Sequence, residues 1–269
     1  GLPHESVALE DVNFKAEDGQ LVGIIGHTGS GKSTLVQHLN GLLKPKTGSI
    51  IIGDTDITAD GVIMRDIRRK IGLVFQYPEY QLFEETVAKD VAFGPNNLGL
   101  SQEETDERVK EAIELVGLDY DKVKNVSPFD LSGGQKRRVA IAGVIAMKPE
   151  ILILDEPTAG LNPRAHADIL NMVKNIHETE RNIIFLVSHN MNDIARMSDK
   201  VIVMDCGKVA MEGPPAEVFL RENELRNMGL ALPDSMEITM RLKRAGMDIN
   251  SVCLTMDEAA DEIAKVLKK

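Results

Sequence analysis

Residues 26–34 read Gly26-His27-Thr28-Gly29-Ser30-Gly31-Lys32-Ser33-Thr34, and they separate the apolar run Leu21–Ile25 from a helical pattern that begins at Leu35. The three glycines let the backbone curl so that a row of N–H groups faces one point. Lys32 is placed to reach the outer phosphates of a nucleotide, and the Ser33 hydroxyl is placed to bind Mg²⁺. The helix that follows adds its positive N-terminus to the same site. The stretch therefore predicts a phosphate-binding loop between a strand and a helix, but not the kind of nucleotide-driven machine that contains it.

Length, composition and charge limit the domain organisation, the partners and the compartment that we expect for this protein. The 269 residues exceed a typical single domain, so we expect one large α/β domain with a small appendage. The 42 acidic side chains outnumber the 31 basic ones, and the net charge of −11 disfavours nucleic acid and anionic lipid as long-range partners. No uncharged apolar run approaches the roughly 18 residues of a membrane helix, and we expect no signal peptide. Cys206 and Cys253 are too few and too isolated for a disulfide framework or a metal site, so we expect a cytosolic protein in which both are small buried hydrophobes or bystanders.

The hydrophobic pattern alternates between strands and helices, which is typical of an α/β fold. Strands are predicted at residues 6–14, 21–25, 49–53, 71–75, 151–154, 183–187, 200–204 and 208–212. Helices are predicted at about 32–42, at 62–70, from 131 to about 147, from 163 and from about 190.

Two blocks of the chain have helical periodicity without strands. Residues 86–117 are helical inside a strand-rich chain, with a cap signal at Ser101 and Glu104, and predict an inserted helical subdomain over about 86–147. Residues 221–269 carry a second cap signal, at Thr255 and Glu258. They predict a small helical C-terminal domain that follows a main domain over residues 1–220.

An acidic pair, Asp155 and Glu156, follows the strand at 151–154, which is apolar at every position as in a parallel strand covered on both faces. Ligands gather at the carboxyl ends of such strands, so both side chains are expected to face the phosphates. Asp155 would orient Mg²⁺, directly or through water, and Glu156 would deprotonate the water that attacks the γ-phosphate. An ordinary acidic pair at a helix N-terminus is the alternative.

A second glycine-rich step, Leu131-Ser132-Gly133-Gly134-Gln135, opens the next predicted helix. Its N–H groups and hydroxyl can hold an anion, but it contains no lysine and belongs to the inserted subdomain. Two half-sites in one chain suggest that each is completed by another copy. With this pentapeptide, the sequence closely resembles the ATP-binding cassette (ABC) ATPases, and the resemblance covers nearly all of residues 6–220.

The resemblance implies a P-loop NTPase core of the ABC type and a role for each motif in the family's order. Gly26 to Thr34 match the Walker A loop, Leu131 to Gln135 match the signature, and Asp155 ends Walker B. Glu156 resembles the catalytic glutamate.

Three further positions come from the same resemblance. Gln76 follows the strand at 71–75 and matches the Q-loop residue, which contacts Mg²⁺ or the attacking water through an amide that never titrates, with an ordinary solvent glutamine as the alternative. His189 follows the strand at 183–187 and matches the switch histidine, a donor to the γ-phosphate. Asn162 ends the D-loop match at residues 159–162, where the family usually has aspartate, and the lost charge puts cross-talk between two sites in doubt. Ahead of Gly26 no aromatic residue suits adenine stacking, since Phe14 alternates with core positions, and the chain looks trimmed of a first strand.

Residues 75–83, Phe-Gln-Tyr-Pro-Glu-Tyr-Gln-Leu-Phe, and the tail stretch Leu230-x-Leu232-Pro233 are similar to ATPase subunits of energy-coupling factor (ECF) transporters, prokaryotic importers of vitamins and transition metals. The resemblance implies ATP and Mg²⁺ as cofactors and a second ABC ATPase subunit, identical or paralogous. It also implies a transmembrane T component, a substrate-binding S component, and a peripheral place at the cytoplasmic face of the membrane through these partners.

Three alternatives stay open. Residues 78–83 would form a groove for a coupling helix of the T component, or they would be a buried loop. Residues 221–269 would be a dimerisation element, or a passive cap on the sheet. The whole chain could instead be an ABC ATPase that acts on nucleic acid in repair, chromosome maintenance or at the ribosome. Against this, only about a hundred residues with no sustained heptad separate Walker A from the signature, and the acidic balance is unfavourable for nucleic acid.

Overall fold

The computed structural model describes residues 7–249 and 252–268. The chain falls into two compact units, one of residues Gly1–Lys32 with Leu186–Lys269 and one of Ser33–Phe185. The predicted boundary at residue 220 stays a prediction, and Ser6 and Lys269, which bound a predicted strand and the predicted C-terminal domain, lie outside the described residues. Among the described helices, none has the length and apolar character that crossing a bilayer requires.

The predicted alternation of strands and helices is confirmed. The strands are β1 (Leu21–Ile25), β2 (Ile51–Ile52), β3 (Thr55–Asp56), β4 (Ile71–Val74), β5 (Ile151–Asp155), β6 (Ile183–Val187), β7 (Lys200–Asp205) and β8 (Lys208–Gly213). The helices are α1 (Lys32–Leu39), α2 (Met64–Lys70), α3 (Val87–Leu98), α4 (Gln102–Leu115), α5 (Tyr120–Val123), α6 (Gly133–Ile145), α7 (Pro163–Glu180), α8 (Met191–Met197), α9 (Pro215–Leu220), α10 (Glu222–Asn227), α11 (Asp234–Arg244) and α12 (Met256–Leu267). Short 3₁₀ helices occupy Pro78–Gln81 and Pro128–Asp130.

In the first unit, β1 is the strand around which the others are arranged. β7 runs parallel to β1, with Ile25 opposite Val203, and β8 returns antiparallel beside β7. On the other side of β1 lies the end of β6, where the Ser188 N–H donates to the Ile24 carbonyl at 3.3 Å. All of β1 is buried, and α8 packs on it so closely that a Cβ at Gly23 would lie 2.8 Å from a side-chain carbon of α8. The close packing of β1 therefore fixes the position at which the loop after Ile25 begins.

The second unit is built on parallel strands and the inserted helices. β4 and β5 pair in parallel, from Ile71 opposite Ile151 to Val74 opposite Leu154, and β6 follows β5 in the strand order. Helices α3, α4 and α6 pack on one another, and α6 also packs on β4. The first cap signal is confirmed, since the Ser101 hydroxyl accepts from the Glu104 N–H at 3.2 Å. Because β4 and β5 share one register, the residues after their last positions lie at the same edge.

The C-terminal helices belong to the first unit. α11 packs against both α12 and α8. The second cap signal is confirmed as a capping box, because the Thr255 hydroxyl accepts from the Glu258 N–H and the Glu258 carboxylate accepts from the Thr255 N–H. Glu222 pairs with Arg226 and Arg244. Contact with α8 fits a cap on the sheet, so the dimerisation role stays a prediction.

The strand predicted at residues 6–14 is wrong for the described residues 7–14, which form no strand. A strand requires a run of extended residues, and Asp11 interrupts this one with a left-handed φ of 51°. The segment follows the β7–β8 turn instead, where the Glu10 N–H donates to the Gly207 carbonyl at 2.9 Å. The alternation of apolar and polar residues here reflects a chain lying along a surface, with one side half-buried. The strand predicted at 49–53 shortens to β2.

Candidate functional site

The loop after β1 holds its own lysine over its carbonyl oxygens. Lys32 Nζ donates to the carbonyls of Gly26 at 2.6 Å and His27 at 3.0 Å, so the ammonium group lies within the curve of the loop. Gly26 is required by space, since a Cβ there would lie 2.4 Å from the backbone oxygen of Met204. The Ser30 hydroxyl is fully buried and has no hydrogen-bond partner among the described residues. The loop is thus tightly curved, with the Lys32 ammonium group inside the curve.

The turn between β7 and β8 supports this cradle from the side. The Gly207 N–H donates to the Ser30 carbonyl at 3.0 Å. His27 lies next to Asp205, with 3.0 Å between Nε2 and Oδ1, and its Nδ1 is 2.8 Å from the Thr28 carbonyl. The turn therefore contacts the loop through both backbone and side chains.

His189 lies between the end of β6 and the start of α8. Asn190 caps α8 by accepting from the Asn192 N–H at 3.0 Å, and its own N–H donates to the Ser188 hydroxyl, also at 3.0 Å. His189 itself is exposed. Since β6 and β1 are neighbours in this unit, the structure brings His189 to the same edge as Gly26.

In the second unit, Gln76, Asp155 and Glu156 follow adjacent strands in one register. Val74 lies opposite Leu154, so Gln76 and Glu156 each come two residues beyond a matched pair. Neighbouring strands lie about 4.8 Å apart. Asp155 is buried, Glu156 is half-buried and Gln76 is exposed. The structure therefore brings these three predicted site residues together, and their amide and carboxylate oxygens are donors that suit Mg²⁺.

The backbone at this edge adopts an unusual conformation twice. Glu156 has a φ of 52°, and Tyr77, directly after Gln76, has a φ of 56°. Left-handed φ is uncommon for residues other than glycine and costs of order 1–2 kcal/mol. Both bends are therefore held by their surroundings.

The glycine-rich step at the start of α6 is a closed capping box. The Ser132 hydroxyl accepts from the Gln135 N–H, and the Gln135 side-chain oxygen accepts from the Ser132 N–H at 3.1 Å and from its hydroxyl at 2.9 Å. Ser132 and Gly133 are exposed, and a Cβ added at Gly133 would meet no atom within 4 Å. The step is thus rigid in itself and open to another molecule.

Asn162 is the N-cap of α7. Its side-chain oxygen accepts from the Ala165 N–H at 3.0 Å, and Pro163 takes the first helical position. Asparagine and aspartate are about equally good N-caps, so asparagine at position 162 caps α7 as well as an aspartate would.

Sequence reasoning missed Arg137, which is 1% exposed inside α6. Its guanidinium donates to both oxygens of Glu79, at 2.9 and 2.6 Å, and to the carbonyls of Pro157 and Ala159, at 3.0 and 2.8 Å. Burial raises the pKa of Glu79, but the hydrogen bonds from Arg137 and the other interactions outweigh it and hold that pKa below its usual range. One side chain thereby ties α6 to the segments that follow β4 and β5. The one feature of the sequence that could have drawn attention to Arg137 is the arginine pair, Arg137 and Arg138, that lies just after residues 131–135.

Residues 78–83 are only partly buried. Pro78 and Leu82 are buried, as the alternative of a buried loop requires, but Tyr80 is 84% exposed and Phe83 is 57% exposed. Phe83 packs edge-on against Phe93, with 5.0 Å between ring centroids. Both rings line a cavity of about 730 Å³ in the second unit, together with Leu82, Met147 and the arginines Arg65, Arg68 and Arg69.

Comparison with known proteins gives consistent matches. A family model described as ABC transporter matches residues 9–159. The chain is 56% identical over 268 residues to the energy-coupling factor transporter ATP-binding protein EcfA2 of Caldanaerobacter subterraneus, covering 100% of this chain and 93% of that protein. It is 54% identical over 269 residues to the protein of the same name from Clostridioides difficile, with 100% and 93% covered.

Solved structures agree in fold. The structure of cbiO1 from Clostridium perfringens, described as part of the ABC transporter complex cbiONQ, matches with a TM-score of 0.76 and 36% identity over 91% of this chain and 93% of that one. The dimeric ATP-binding cassette MJ0796, described in a post-hydrolysis state with ADP and Pi, matches with a TM-score of 0.67 and 32% identity over 77% and 90%.

Proposed function

The chain belongs to the ABC transporter ATP-binding proteins of the energy-coupling factor type, and from this premise we propose which of its residues bind ATP, hydrolyse it and couple it to import. It is an ATP-hydrolysing subunit of an importer. The observation that carries the proposal is the Lys32 ammonium group inside the curve of loop 26–31. On ATP binding, this group exchanges two carbonyl oxygens for phosphate oxygens, and the loop N–H groups and the start of α1 add to the anion site.

Ser33, Gln76 and Asp155 are the residues that would hold Mg²⁺. They offer a hydroxyl, an amide oxygen and a carboxylate, which are the hard oxygen donors this ion prefers. Asp155 is the last residue of β5, and Gln76 lies two residues beyond the end of the neighbouring strand β4, which supports their acting on one ligand. When bound, Mg²⁺ supplies positive charge that neutralises the β- and γ-phosphates.

Glu156 is the general base in this proposal. Its carboxylate accepts a proton from the attacking water while the water oxygen bonds to the γ-phosphorus and the bond to the β,γ-bridging oxygen breaks, giving ADP and phosphate. His189 donates a hydrogen bond to the γ-phosphate, and Gln76 orients the water. The left-handed backbone at Glu156 supports this role, because such strained positions cluster at functional sites.

The step at Ser132, Gly133 and Gly134, of which the first two residues are exposed, binds the nucleotide of a second ATPase subunit, identical or paralogous. It is open to solvent, already rigid, and contains no cation of its own, which supports its completing a partner's site. ATP then joins two subunits head to tail, and hydrolysis releases them. Residues 221–269 add a dimer contact, supported by the exposed apolar side chains Ile238, Met256 and Leu267.

The cavity beside Phe83 and Phe93 receives a coupling helix of the transmembrane T component. Its aromatic lining suits an apolar helix face, and three arginines line the same cavity and suit the carboxylates or carbonyls of a helix end. Through this contact the chain is held at the cytoplasmic face of a prokaryotic membrane. An S component selects the solute, a vitamin or a transition-metal ion.

Two variants test the nucleotide site. Glu156→Gln should bind ATP with the affinity of the parent, lose turnover and accumulate as an ATP-bound dimer, measured by nucleotide titration, phosphate release and size-exclusion chromatography. Lys32→Ala should weaken ATP binding itself. The matched controls are Glu178→Gln and Lys89→Ala, which change exposed side chains on α7 and α3 and should leave both readouts unchanged. Unchanged turnover in Glu156→Gln would refute the base, and unchanged ATP affinity in Lys32→Ala would refute the cradle.

A further inference from the structure

Three metal-ligating side chains of different chemistry meet beside the phosphate loop. His27, Asp205 and Cys206 each offer one donor atom, and these atoms all lie within 4.8 Å of one another. His27 Nε2 is 3.0 Å from Asp205 Oδ1, and Cys206 Sγ is 3.6 Å from the same oxygen. None of these side chains is buried, so an ion in solution can reach them.

Two of the three donor spacings are close to the edges of a zinc tetrahedron, and the third, from the His27 nitrogen to Cys206 Sγ, lies within 4.8 Å. With Zn–N and Zn–O distances near 2.1 Å and Zn–S near 2.3 Å, tetrahedral angles place N and O about 3.4 Å apart and S and O about 3.6 Å apart. The observed separations of 3.0 and 3.6 Å differ from these values by a few tenths of an ångström, which small side-chain rotations supply. Imidazole, carboxylate and thiolate together favour Zn²⁺ or a similar divalent ion over Mg²⁺, and water completes the fourth position.

The hydrogen bonding of His27 also points to a cation. Nδ1 faces the Thr28 carbonyl, which can only accept, so Nδ1 carries a hydrogen. A neutral ring then presents a lone pair from Nε2 to the carboxylate of Asp205. A metal ion placed between these two acceptor atoms would bind both.

Cys206 occupies a backbone position that does not suit it. It lies with Gly207 in the two-residue turn between β7 and β8, with φ values of 47° and 79°. Turns with two positive φ values strongly prefer Asn-Gly or Asp-Gly, and cysteine pays a conformational penalty there. A cysteine held at a strained backbone position, next to a histidine and a carboxylate, suggests that its side chain binds a ligand.

We propose that His27, Asp205 and Cys206 bind a Zn²⁺-class ion and that the bound ion opposes ATP binding. The second half rests on the proposed function of the loop. The ion fixes His27 against the β7–β8 turn, whose Gly207 N–H already bonds the Ser30 carbonyl. His27 then stays where its carbonyl holds Lys32, which must leave that carbonyl to meet phosphate. By reciprocity, ATP lowers the affinity for the ion by the same factor.

Binding takes one proton from the cysteine. The Asp205 carboxylate raises the pKa of the Cys206 thiol, chiefly through its charge and also through a hydrogen bond, so the thiol is protonated at neutral pH. As the S–metal bond forms, this proton passes to the buffer.

The test uses Co²⁺ as a spectroscopic probe on the full chain without nucleotide. Co²⁺ should give a thiolate-to-metal charge-transfer band in the parent and in the control Cys253→Ser, whose cysteine is buried. The band should be lost in Cys206→Ser and weakened in Asp205→Asn, and Zn²⁺ should displace Co²⁺. A band that survives in Cys206→Ser, or no band in the parent, would overturn the site.

The second arm measures ATP affinity at a fixed free Zn²⁺ concentration. Zn²⁺ should weaken ATP binding several-fold in the parent and in Cys253→Ser but not in Cys206→Ser, and chelation of Zn²⁺ by ATP affects all three equally. Equal ATP affinities with and without Zn²⁺ in a parent that gives the Co²⁺ band would overturn the antagonism. Loss of the proposed function itself is distinguished by absent ATP binding in the parent without any Zn²⁺, while the Co²⁺ titration is unaffected.

Discussion

Replacing Arg137 by methionine should lower the free energy of unfolding of the second unit by about 3–5 kcal/mol, the range for breaking a buried ion pair from one side. Methionine keeps the length and the helix propensity of the side chain in α6 and removes its charge and its donors. The penalty arises because the Glu79 carboxylate, 16% exposed, loses the guanidinium that accounts for two of its hydrogen bonds.

The backbone adds to this penalty. The carbonyls of Pro157 and Ala159 each accept from Arg137 at 3.0 Å or less, and each buried acceptor left unpaired costs about 1–3 kcal/mol. The cost of the two unpaired carbonyls is already partly included in the range of about 3–5 kcal/mol for the broken ion pair. The loss should therefore be about 5 kcal/mol if no water enters the space that the guanidinium leaves. Lys122→Met is the matched control, since Lys122 also pairs with a carboxylate, at 2.7 Å from Asp119, but on the surface. It should leave the unfolding midpoint unchanged.

The assay is urea unfolding of the parent, Arg137→Met, Glu79→Gln and the double variant. Because the two side chains share a buried pair, the double variant should lose less stability than the sum of the single ones. Strictly additive losses would refute the pairing, and a loss in Arg137→Met no larger than in the Lys122 control would refute the burial argument. The positioning role has a separate readout, since Arg137→Lys should recover part of the stability yet lower turnover more than ATP affinity, because lysine has no planar fork to reach both segments.

The same pair should make stability depend on pH. The pKa of Glu79 is lowered in the folded chain, so its contribution is complete above the pKa of an unfolded glutamate and is lost as the pH falls through the folded value. The difference in stability between the parent and Glu79→Gln should therefore shrink on acidification below about pH 4.3. A difference that stays constant over this window would refute the lowered pKa.

Three further expectations concern single positions. Asn162→Ala removes the cap of α7 and should cost about 1 kcal/mol in thermal unfolding, whereas Asn162→Asp should cost nothing. Gly26→Ala should abolish ATP binding, because its Cβ would meet the rigid Met204 carbonyl at 2.4 Å and the loop must shift. Tyr80→Ala removes an 84% exposed ring, so it should leave stability and ATP affinity unchanged while reducing retention on membranes that contain the T component.

Local patterns in the sequence predicted local structure well. The helix caps at Ser101 and Thr255 depend on residues three apart, and the glycines of the loop at 26–34 lie close together in the chain, so both features are visible in the sequence. The strand predicted at 6–14 is wrong because alternation alone does not supply a partner strand, and the left-handed Asp11 gives no compositional signal.

The long-range contacts were not visible. Arg137 and Glu79 are 58 residues apart, and His27 and Asp205 are 178 apart. Sequence reasoning dismissed Cys206 as a bystander because it sought a second cysteine at metal-binding spacing. The other two side chains of the cluster are His27, in the loop after β1, and Asp205, at the end of β7. They lie close together because β1 and β7 pair in parallel, and this pairing is not visible in the sequence.

Arg137 also explains how two strained bends persist at one edge of the sheet. The left-handed residues Tyr77 and Glu156 each come directly before a segment that this arginine holds, Glu79 in one case and the carbonyls of Pro157 and Ala159 in the other. A bend that costs of order 1–2 kcal/mol is retained when several bonds beyond it fix the path of the chain. Arg137 lies in α6, five residues after Ser132, so this side chain joins the signature helix to the segments that follow both bends. The strand ends that carry Gln76 and Glu156 are therefore connected to the signature helix by this side chain as well as by the packing of α6 on β4.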